Sequence, residues 1–403
     1  MARILLVTTN FWPEPTGSAP VATDLAKALS VDGNFVQILT TYPHYPWWKI
    51  PSEFNELKEI SDYSEGVSII RARHYIPTSS NLLSRALYEL SLLKNLSRTI
   101  RFHDLSNFDL VVTIGSSYSG HFIGKKISKK VEIPLLVIIH DLIGKGLEQS
   151  GIPGGKYIAK FIQRFEFKNL EDASKIAVIS PAMKSALESM GLKSSSISLI
   201  PLYGINRIQE LDNLEAKLAN GWDQNSFTVV HSGNMGNKQH LETLIEAAKM
   251  LCTESEINFY LVGHGNRENK LKELAFGVGN IHFLPSVSDE KFPEILAGAD
   301  LLLVSERASQ TEMSLPSKLT SYFFSNRPVI ASVPTSGATA QYLNGLALIV
   351  PAENSKMLAE GIINLKTNVE ERKMLAKKAL EFAQSNLSIE NGRKRYVNWV
   401  LDR

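Results

Sequence analysis

The stretch His231-Ser232-Gly233-Asn234-Met235-Gly236-Asn237-Lys238-Gln239 combines two glycines, a lysine and two asparagines just past the middle of the chain. It follows the apolar run Thr228-Val229-Val230, which reads as a buried parallel strand. It precedes Leu241, Leu244, Ile245 and Ala248, whose spacing draws one face of a helix. A strand that empties through glycines into a helix offers backbone amides and the positive end of a helix at a sheet's carboxyl edge. Open α/β sheets bind anions and nucleotides there. Lys238 lies a turn or less from those amides, in reach of a diphosphate. A second candidate is Glu312-Met313-Ser314-Leu315-Pro316-Ser317-Lys318-Leu319-Thr320-Ser321-Tyr322-Phe323. Pro316 is pre-set for a helix's first turn, Ser317 can donate from it and Lys318 adds a charge. The plainer reading is an ordinary capped helix, but two such termini on one sheet edge are what a nucleotide diphosphate needs. A third glycine-rich strand exit, Val262-Gly263-His264-Gly265-Asn266-Arg267, lacks the lysine-and-hydroxyl ending of a P-loop, which argues against an NTPase.

The first half carries smaller signals. His140-Asp141 directly follows the strand-like Leu135 to Ile139; the pair either meets a substrate hydroxyl and developing positive charge, or is a strand end and a helix N-cap. Gly17-Ser18 closes the first long loop and opens a helix, offering amides to an anion or simply making a turn and cap. Tyr42-Pro43-His44-Tyr45-Pro46-Trp47-Trp48 follows the second strand. It is either a rigid surface loop or a platform on which Tyr42, His44, Tyr45 and Trp47 stack against a sugar or lipid acceptor.

These residues need elements to hold them, and the periodicity supplies two series. Ile4–Thr8, Val36–Thr40, Leu110–Ile114, Leu135–Ile139 and Ile176–Ile179 read as strands. A helix runs through Val21, Leu25, Ala28 and Leu29 to Gly33, and another starts at Ser180-Pro181 and stops at Gly191. Periodicity lapses after Pro201. A second βα series runs from Thr228 through Phe259–Val262, Ile281–Leu284, Leu301–Val304, Val329–Ala331 and Leu348–Val350. Two doubly wound α/β domains in tandem are expected, 1–204 and 205–385, with a final helix at 386–403.

A chain of 403 residues, 44% hydrophobic and 21% charged, is long enough for two separate cores. The single cysteine, Cys252, excludes a disulfide framework and a cysteine-built metal site, fits a reducing cytosol, and is expected to pack. No signal peptide is evident, and no run approaches the roughly 20 apolar residues of a membrane span. The net charge of +2 argues against nucleic acid as a partner. Between Asn81 and Arg101, Leu82, Leu83, Leu87, Leu90, Leu93 and Leu96 alternate with Arg85, Lys94, Arg98 and Arg101. The simpler expectation is a helix docked on its own domain. The alternative is a basic amphipathic face resting on anionic lipid, with Lys125-Lys126 and Lys129-Lys130 adding to it.

With these landmarks in order, the chain resembles the family 4 glycosyltransferases of the GT-B fold, and within them exopolysaccharide enzymes of the colanic-acid fucosyltransferase type. The residues that carry the resemblance are Tyr42 to Trp47, His231 to Gln239 with Leu241-Glu242, Val262 to Gly265, and Leu315 to Thr320. It implies two Rossmann-like domains with parallel sheets facing across a cleft, the acceptor held by the first and the sugar nucleotide by the second. It also implies a C-terminal helix crossing back to the first domain. Carried over by position, Gly233, Asn234, Lys238, Gln239, Gly263, Pro316, Ser317, Lys318 and Leu319 would hold the donor, and Gly17-Ser18 its phosphate or the acceptor. His140, Asp141 and Glu312 would be catalytic. Many relatives carry arginine at Asn234 and lysine at Gln239, and the family's ribose-binding glutamate is matched here by Ser321.

The resemblance further implies retaining transfer from a nucleotide-diphosphate sugar, GDP-fucose or a UDP-sugar, without a metal or other cofactor. The expected acceptor is a saccharide linked to undecaprenyl, in exopolysaccharide or O-antigen synthesis, by a cytoplasmic protein in peripheral contact with the inner membrane. Two alternatives share the architecture: a sugar-nucleotide epimerase and a non-catalytic nucleotide-sugar-binding subunit. A dinucleotide dehydrogenase fits less well, because neither glycine turn matches its fingerprint.

Overall fold

The computed structural model describes the chain apart from residues 16, 55–60, 65–66, 78–81, 116, 143, 145–154, 205–210, 255, 310–314 and 403. It divides into two compact units, Met1–Ile205 with Ile389–Arg403, and Asn206–Ser388.

The first unit is built on an eight-stranded sheet of order β3-β4-β2-β1-β5-β6-β7-β8. Its strands are β1 (Arg3–Val7), β2 (Phe35–Thr41), β3 (Ser61–Ser64), β4 (Val67–Ala72), β5 (Leu110–Gly115), β6 (Leu135–Ile139), β7 (Lys175–Val178) and β8 (Ile197–Leu199). All neighbours are parallel except β3, which runs antiparallel to β4. The central strands β1, β5 and β6 read as near-continuous apolar runs because both faces are covered. Leu5 and Val7 enter one core cluster and Ile4 and Leu6 the other, as a period of two requires. Strands β3 and β4 have no counterpart in the sequence-based reading. Within β4, Ser68 and Arg71 interrupt the apolar pattern. Arg71 is nevertheless buried, donating to the carbonyls of Thr41 at 3.3 Å and Trp12 at 2.6 Å.

Helix starts obey local chemistry. The Ser180 hydroxyl accepts from Met183 N at 3.2 Å at the head of the helix Pro181–Ser189. The helix Leu82–Thr99 buries Leu92 and Leu96 but exposes Leu87 (46%) and Leu90 (61%), so the core-facing leucines differ from the expected set. Lys125 and Lys129, candidates for a lipid face, instead pair with Asp172 at 2.5 and 2.9 Å. The last helix, Ile389–Leu401, lies against the helix Ala19–Val31. There the Arg393 fork meets Asp24, Tyr203 Oη donates to Asp24 at 2.8 Å, and Tyr396 Oη donates to Ile200 O at 3.2 Å.

The second unit is a six-stranded, wholly parallel sheet of order β11-β10-β9-β12-β13-β14. Its strands are β9 (Phe227–Ser232), β10 (Ile257–Val262), β11 (Ile281–Leu284), β12 (Leu301–Ser305), β13 (Val329–Val333) and β14 (Leu348–Pro351). Cys252 lies exposed just past the helix Glu242–Met250, contrary to the expectation that it packs. Among the described residues no helix is long and apolar enough to cross a membrane.

In each sheet the winding direction reverses once, between β1 and β5 in the first unit and between β9 and β12 in the second. Chains leaving two such neighbours at their carboxyl ends diverge, which opens the crevice where ligands of open α/β sheets sit.

Candidate functional site

In the second unit the loop leaving β9 crosses that reversal point. Gly233 has φ +115, and its N–H donates to Val262 O at 2.8 Å. A Cβ on Gly263 would stand 2.1 Å from Gly233 O, so the β10 exit must be bare for the β9 exit to lie on it. Met235 N donates to His264 O at 2.9 Å, and Gly236 N to Gln239 Oε1 at 3.2 Å. The expectation of bare amides at Gly233 is therefore corrected, because the turn spends these donors on its own closure. Gly263 likewise holds the loop rather than a ligand, and Gln239 pins the turn. Asn234 and Lys238 are exposed on the loop. His240 turns its imidazole to Thr243 Oγ1 at 2.9 Å.

The helix Lys318–Phe324 supplies the cation. Leu319 and Phe323 are buried in the core, and Tyr322 Oη accepts from Ser232 N at 2.9 Å while reaching Leu303 O at 3.4 Å. Tyr322 thus ties the helix to the ends of β9 and β12, and Lys318, four residues earlier, falls on the same face. Its Nζ comes 3.5 Å from where a Gly233 Cβ would stand, and 3.3 Å from His231 Nε2. Gly233 and Lys318, far apart in sequence, share one point of the crevice. Leu319 is corrected from a donor contact to a core residue: its side chain is 2% exposed and its N–H donates to Pro316 O at 3.0 Å. Pro316 stands one residue before the Ser317 cap, outside the helix, and the Ser317 hydroxyl is exposed without capping. Glu312 lies outside the described residues.

Two residues missed in the sequence complete this half-site. Glu306 follows β12, is 9% exposed, and accepts from Thr339 Oγ1 at 2.8 Å. Burial pushes its carboxyl up to about 7, against the pull of Thr339 and Lys318. Burial likewise lowers Lys318 to about 7, with Glu306 acting the other way. Arg307 donates its N–H to Lys238 O at 2.8 Å and its Nε–H to Asn237 O at 3.1 Å, clamping the β9 loop. A lone Glu-Arg after a strand carries no spacing signal that would have found either.

In the first unit the equivalent point joins Gly17-Ser18, after β1, to the ends of β5 and β6. A Cβ on Gly115 would lie 3.1 Å from Ser18 Oγ, and one on Gly17 would lie 3.7 Å from the Tyr45 ring. Gly115 pairs in register with Ile139, so His140 leaves the sheet beside it. His140 is 8% exposed, and Nε2 has no hydrogen-bond partner among the described residues. Burial lowers its imidazole to about 4, against the pull of Asp141, so at neutral pH it is an uncharged hydrogen-bonding group. Asp141 is half-buried beside it.

The aromatic loop divides. Tyr42 (1%) and His44 (2%) are buried and cannot be a stacking surface, which corrects their assignment; Trp47 (43%) and Trp48 (50%) are exposed, and Tyr45 is half-buried. Glu14, unnoticed in its Pro-Glu-Pro setting, holds this loop: its Oε1 accepts from His44 N at 2.7 Å and Tyr45 N at 2.8 Å.

Comparison with known proteins agrees with this arrangement. Residues 15–202 match the model described as Glycosyltransferase Family 4, and residues 212–382 match Glycosyl transferases group 1. The chain is 27% identical over 414 residues to WcaI of Escherichia coli (strain K12), named as a colanic acid biosynthesis glycosyl transferase; the match covers 98% of this chain and 99% of the relative. Sucrose-phosphate synthase from Thermosynechococcus elongatus superposes with TM-score 0.76 at 18% identity, over 100% of this chain and 99% of that one. Anabaena Alr3699/HepE, solved with UDP and glucose, superposes with TM-score 0.71 at 16% identity over all of both chains. With a glycosyltransferase model on each unit, and a GT-B pair of Rossmann-like sheets beneath them, the chain belongs to the family 4 glycosyltransferases.

Proposed function

We propose that the protein transfers a sugar, with retention of anomeric configuration, from a nucleotide-diphosphate donor to a saccharide acceptor in polysaccharide synthesis. The observation that carries this reading is Lys318 Nζ against Gly233 at the reversal point of the second sheet. A cation there meets the diphosphate and stabilises it as it departs, which is where charge develops in the transfer. Asn234 and Lys238 are exposed on the Gly233 loop, and exposed Ser317 directly precedes Lys318. In the first unit neutral His140 is suited to a sugar hydroxyl, Asp141 to positive charge on the reacting carbon, and Ser18 to a phosphate or the acceptor. The colanic-acid name of WcaI supports an exopolysaccharide product, and the UDP and glucose bound to HepE support a nucleotide-sugar donor. GDP-fucose and UDP-sugars are the candidates, with no cofactor.

The lipid-linked character of the acceptor, and peripheral contact with an anionic membrane, are supported by one stripe of the helix Leu82–Thr99. Leu87, Leu90, Lys94 and Arg98 fall along it at helical spacing and are all exposed, and the loop that carries the outward Trp47 and Trp48 is tied to the same helix by His44 Nε2 and Tyr88 Oη at 3.0 Å.

Lys318→Ala tests the donor site. Hydrogen bonds to charged groups contribute about 1.5–3 kcal/mol, so affinity for the bound nucleotide sugar should fall roughly 10- to 100-fold with the fold intact. Calorimetry on the best ligand from a panel of GDP, UDP and their sugars measures it. Unchanged affinity would overturn the donor site. Turnover of donor equally fast with and without acceptor would favour an epimerase instead.

A further inference from the structure

The register between β9 and β12 ends at Val230 and Leu302, where the two strands part at the reversal point. Beyond it two side chains take over the bonding. Tyr322 Oη accepts from Ser232 N at 2.9 Å and donates to Leu303 O at 3.4 Å. His231, wholly buried, brings Nδ1 to the same Leu303 O at 3.3 Å. Its other nitrogen, Nε2, lies 3.3 Å from Lys318 Nζ. Among the described residues Lys318 makes no ion pair, and its Nζ has no other hydrogen bond. Two elements distant in sequence, the end of β9 and the first turn of the helix Lys318–Phe324, therefore meet through this one polar contact.

A carbonyl only accepts and an ammonium only donates, so the neighbours of the ring assign its two ends: the proton sits on Nδ1 and Nε2 is bare. Burial, and then Lys318, hold the imidazole well below its ordinary value against the backbone of Leu303 and Asn234, which keeps the ring uncharged. We infer that His231 is a positioning residue for the donor: its bare Nε2 accepts one N–H of the Lys318 ammonium and holds Nζ beside Gly233, leaving the other two N–H groups for the diphosphate oxygens. This rests on the diphosphate site proposed above. A lysine stem left to itself samples many rotamers, and a ligand that fixes it must overcome that freedom. An acceptor already in place removes part of the cost before the ligand arrives. The held Nζ stands 3.5 Å from where a Gly233 Cβ would be, so one strand exit supplies both the bare backbone and, two residues earlier, the group that aims the cation at it.

The first measurement needs no ligand. Nitrogen-15 spectra of the full chain labelled in histidine should show Nδ1 protonated and Nε2 bare for the ring whose signals vanish in His231→Gln, and Lys318→Met should shift that Nε2 signal. A protonated Nε2, or one indifferent to Lys318→Met, overturns the inference whether or not any other variant folds. The second is calorimetric titration with GDP-fucose and with UDP-glucose. For the one that binds wild type, His231→Leu should weaken affinity about 3- to 10-fold, and His231→Gln, which keeps an acceptor, should recover most of that loss. With Lys318→Met already present, His231→Leu should change affinity less than about twofold, because the group it acts through is gone. A merely structural role would weaken binding by the same factor in both backgrounds. That result, or wild-type affinity in His231→Leu, overturns this inference and leaves the donor site standing. Affinity unchanged by Lys318→Met, or binding of neither ligand nor of GDP or UDP, overturns the donor site and this inference with it.

Discussion

At the scale of single residues, the site depends on positions where nothing larger fits. Gly263 has φ +134, and its missing Cβ would collide with Gly233 O at 2.1 Å. Gly263→Ala should cost more than about 2 kcal/mol of stability, since both the backbone region and the space are forbidden; urea unfolding measures it. His140 tests the opposite kind of dependence. Its buried, neutral ring belongs to the first unit, whereas the diphosphate half-site proposed above is built in the second. His140→Ala should lower kcat by at least about 10²-fold, the size of a lost general acid–base or oxyanion-type contact, and leave nucleotide affinity within a few-fold. Steady-state kinetics with calorimetry separates the two. Residue type alone identified Lys318, Ser317 and His140 as candidates. It could not identify Glu306 or Arg307, because their roles come from the hydroxyl and the carbonyls that the fold turns towards them.

At the scale of elements, the sequence pattern was legible where a strand is buried on both faces and faint where it is not. Leu135 to Ile139 is one apolar run and reads directly; β4 carries Arg71 and does not. The helix Leu82–Thr99 is a subtler case. Seven leucines from Leu82 to Leu96 fit more than one apolar face, and only packing against the sheet chose Leu92 and Leu96 for the core. The leucines left outside make a prediction. Leu90→Glu with Lys94→Glu should reduce sedimentation with vesicles containing anionic phosphatidylglycerol by several-fold, each lost basic residue being worth about 1 kcal/mol near such a surface. Donor affinity in solution should not change. Equal binding by variant and wild type would remove the membrane contact.

At the scale of the molecule, buried histidines make stability depend on acid. Burial lowers His121 and His140 to about 4, from an ordinary 6.5 in the unfolded chain. Between those values the unfolded chain binds protons the folded one does not, so their contribution is complete above pH 6.5 and is lost as pH falls towards 4. Each costs up to about 1.4 kcal/mol per pH unit in that window. Glu306, raised to about 7, acts in the reverse direction over part of it, but in the other unit. His231, buried in the second unit and also held well below its ordinary value, adds the same acid dependence there, so calorimetric melts from pH 7 to 4 should show the transition temperature falling as pH falls. A transition temperature flat across that range would contradict the burial of both rings.

The sequence by itself determined the class of fold, the order of most strands and the presence of lysine, serine and glycine at two strand exits, since these follow from local periodicity and turn chemistry. Tertiary structure alone decided that Gly233 and Lys318 meet, that the turn amides expected to bind an anion are consumed by Val262 and His264, and that Tyr42 and His44 lie inside while Trp47 lies outside. The physical reason is range. A residue's conformation is set largely by neighbours along the chain, whereas its burial, its charge state and the partner of each hydrogen bond are set by strands brought together from distant sequence, here β9, β10 and β12 at the one place where the sheet reverses its winding.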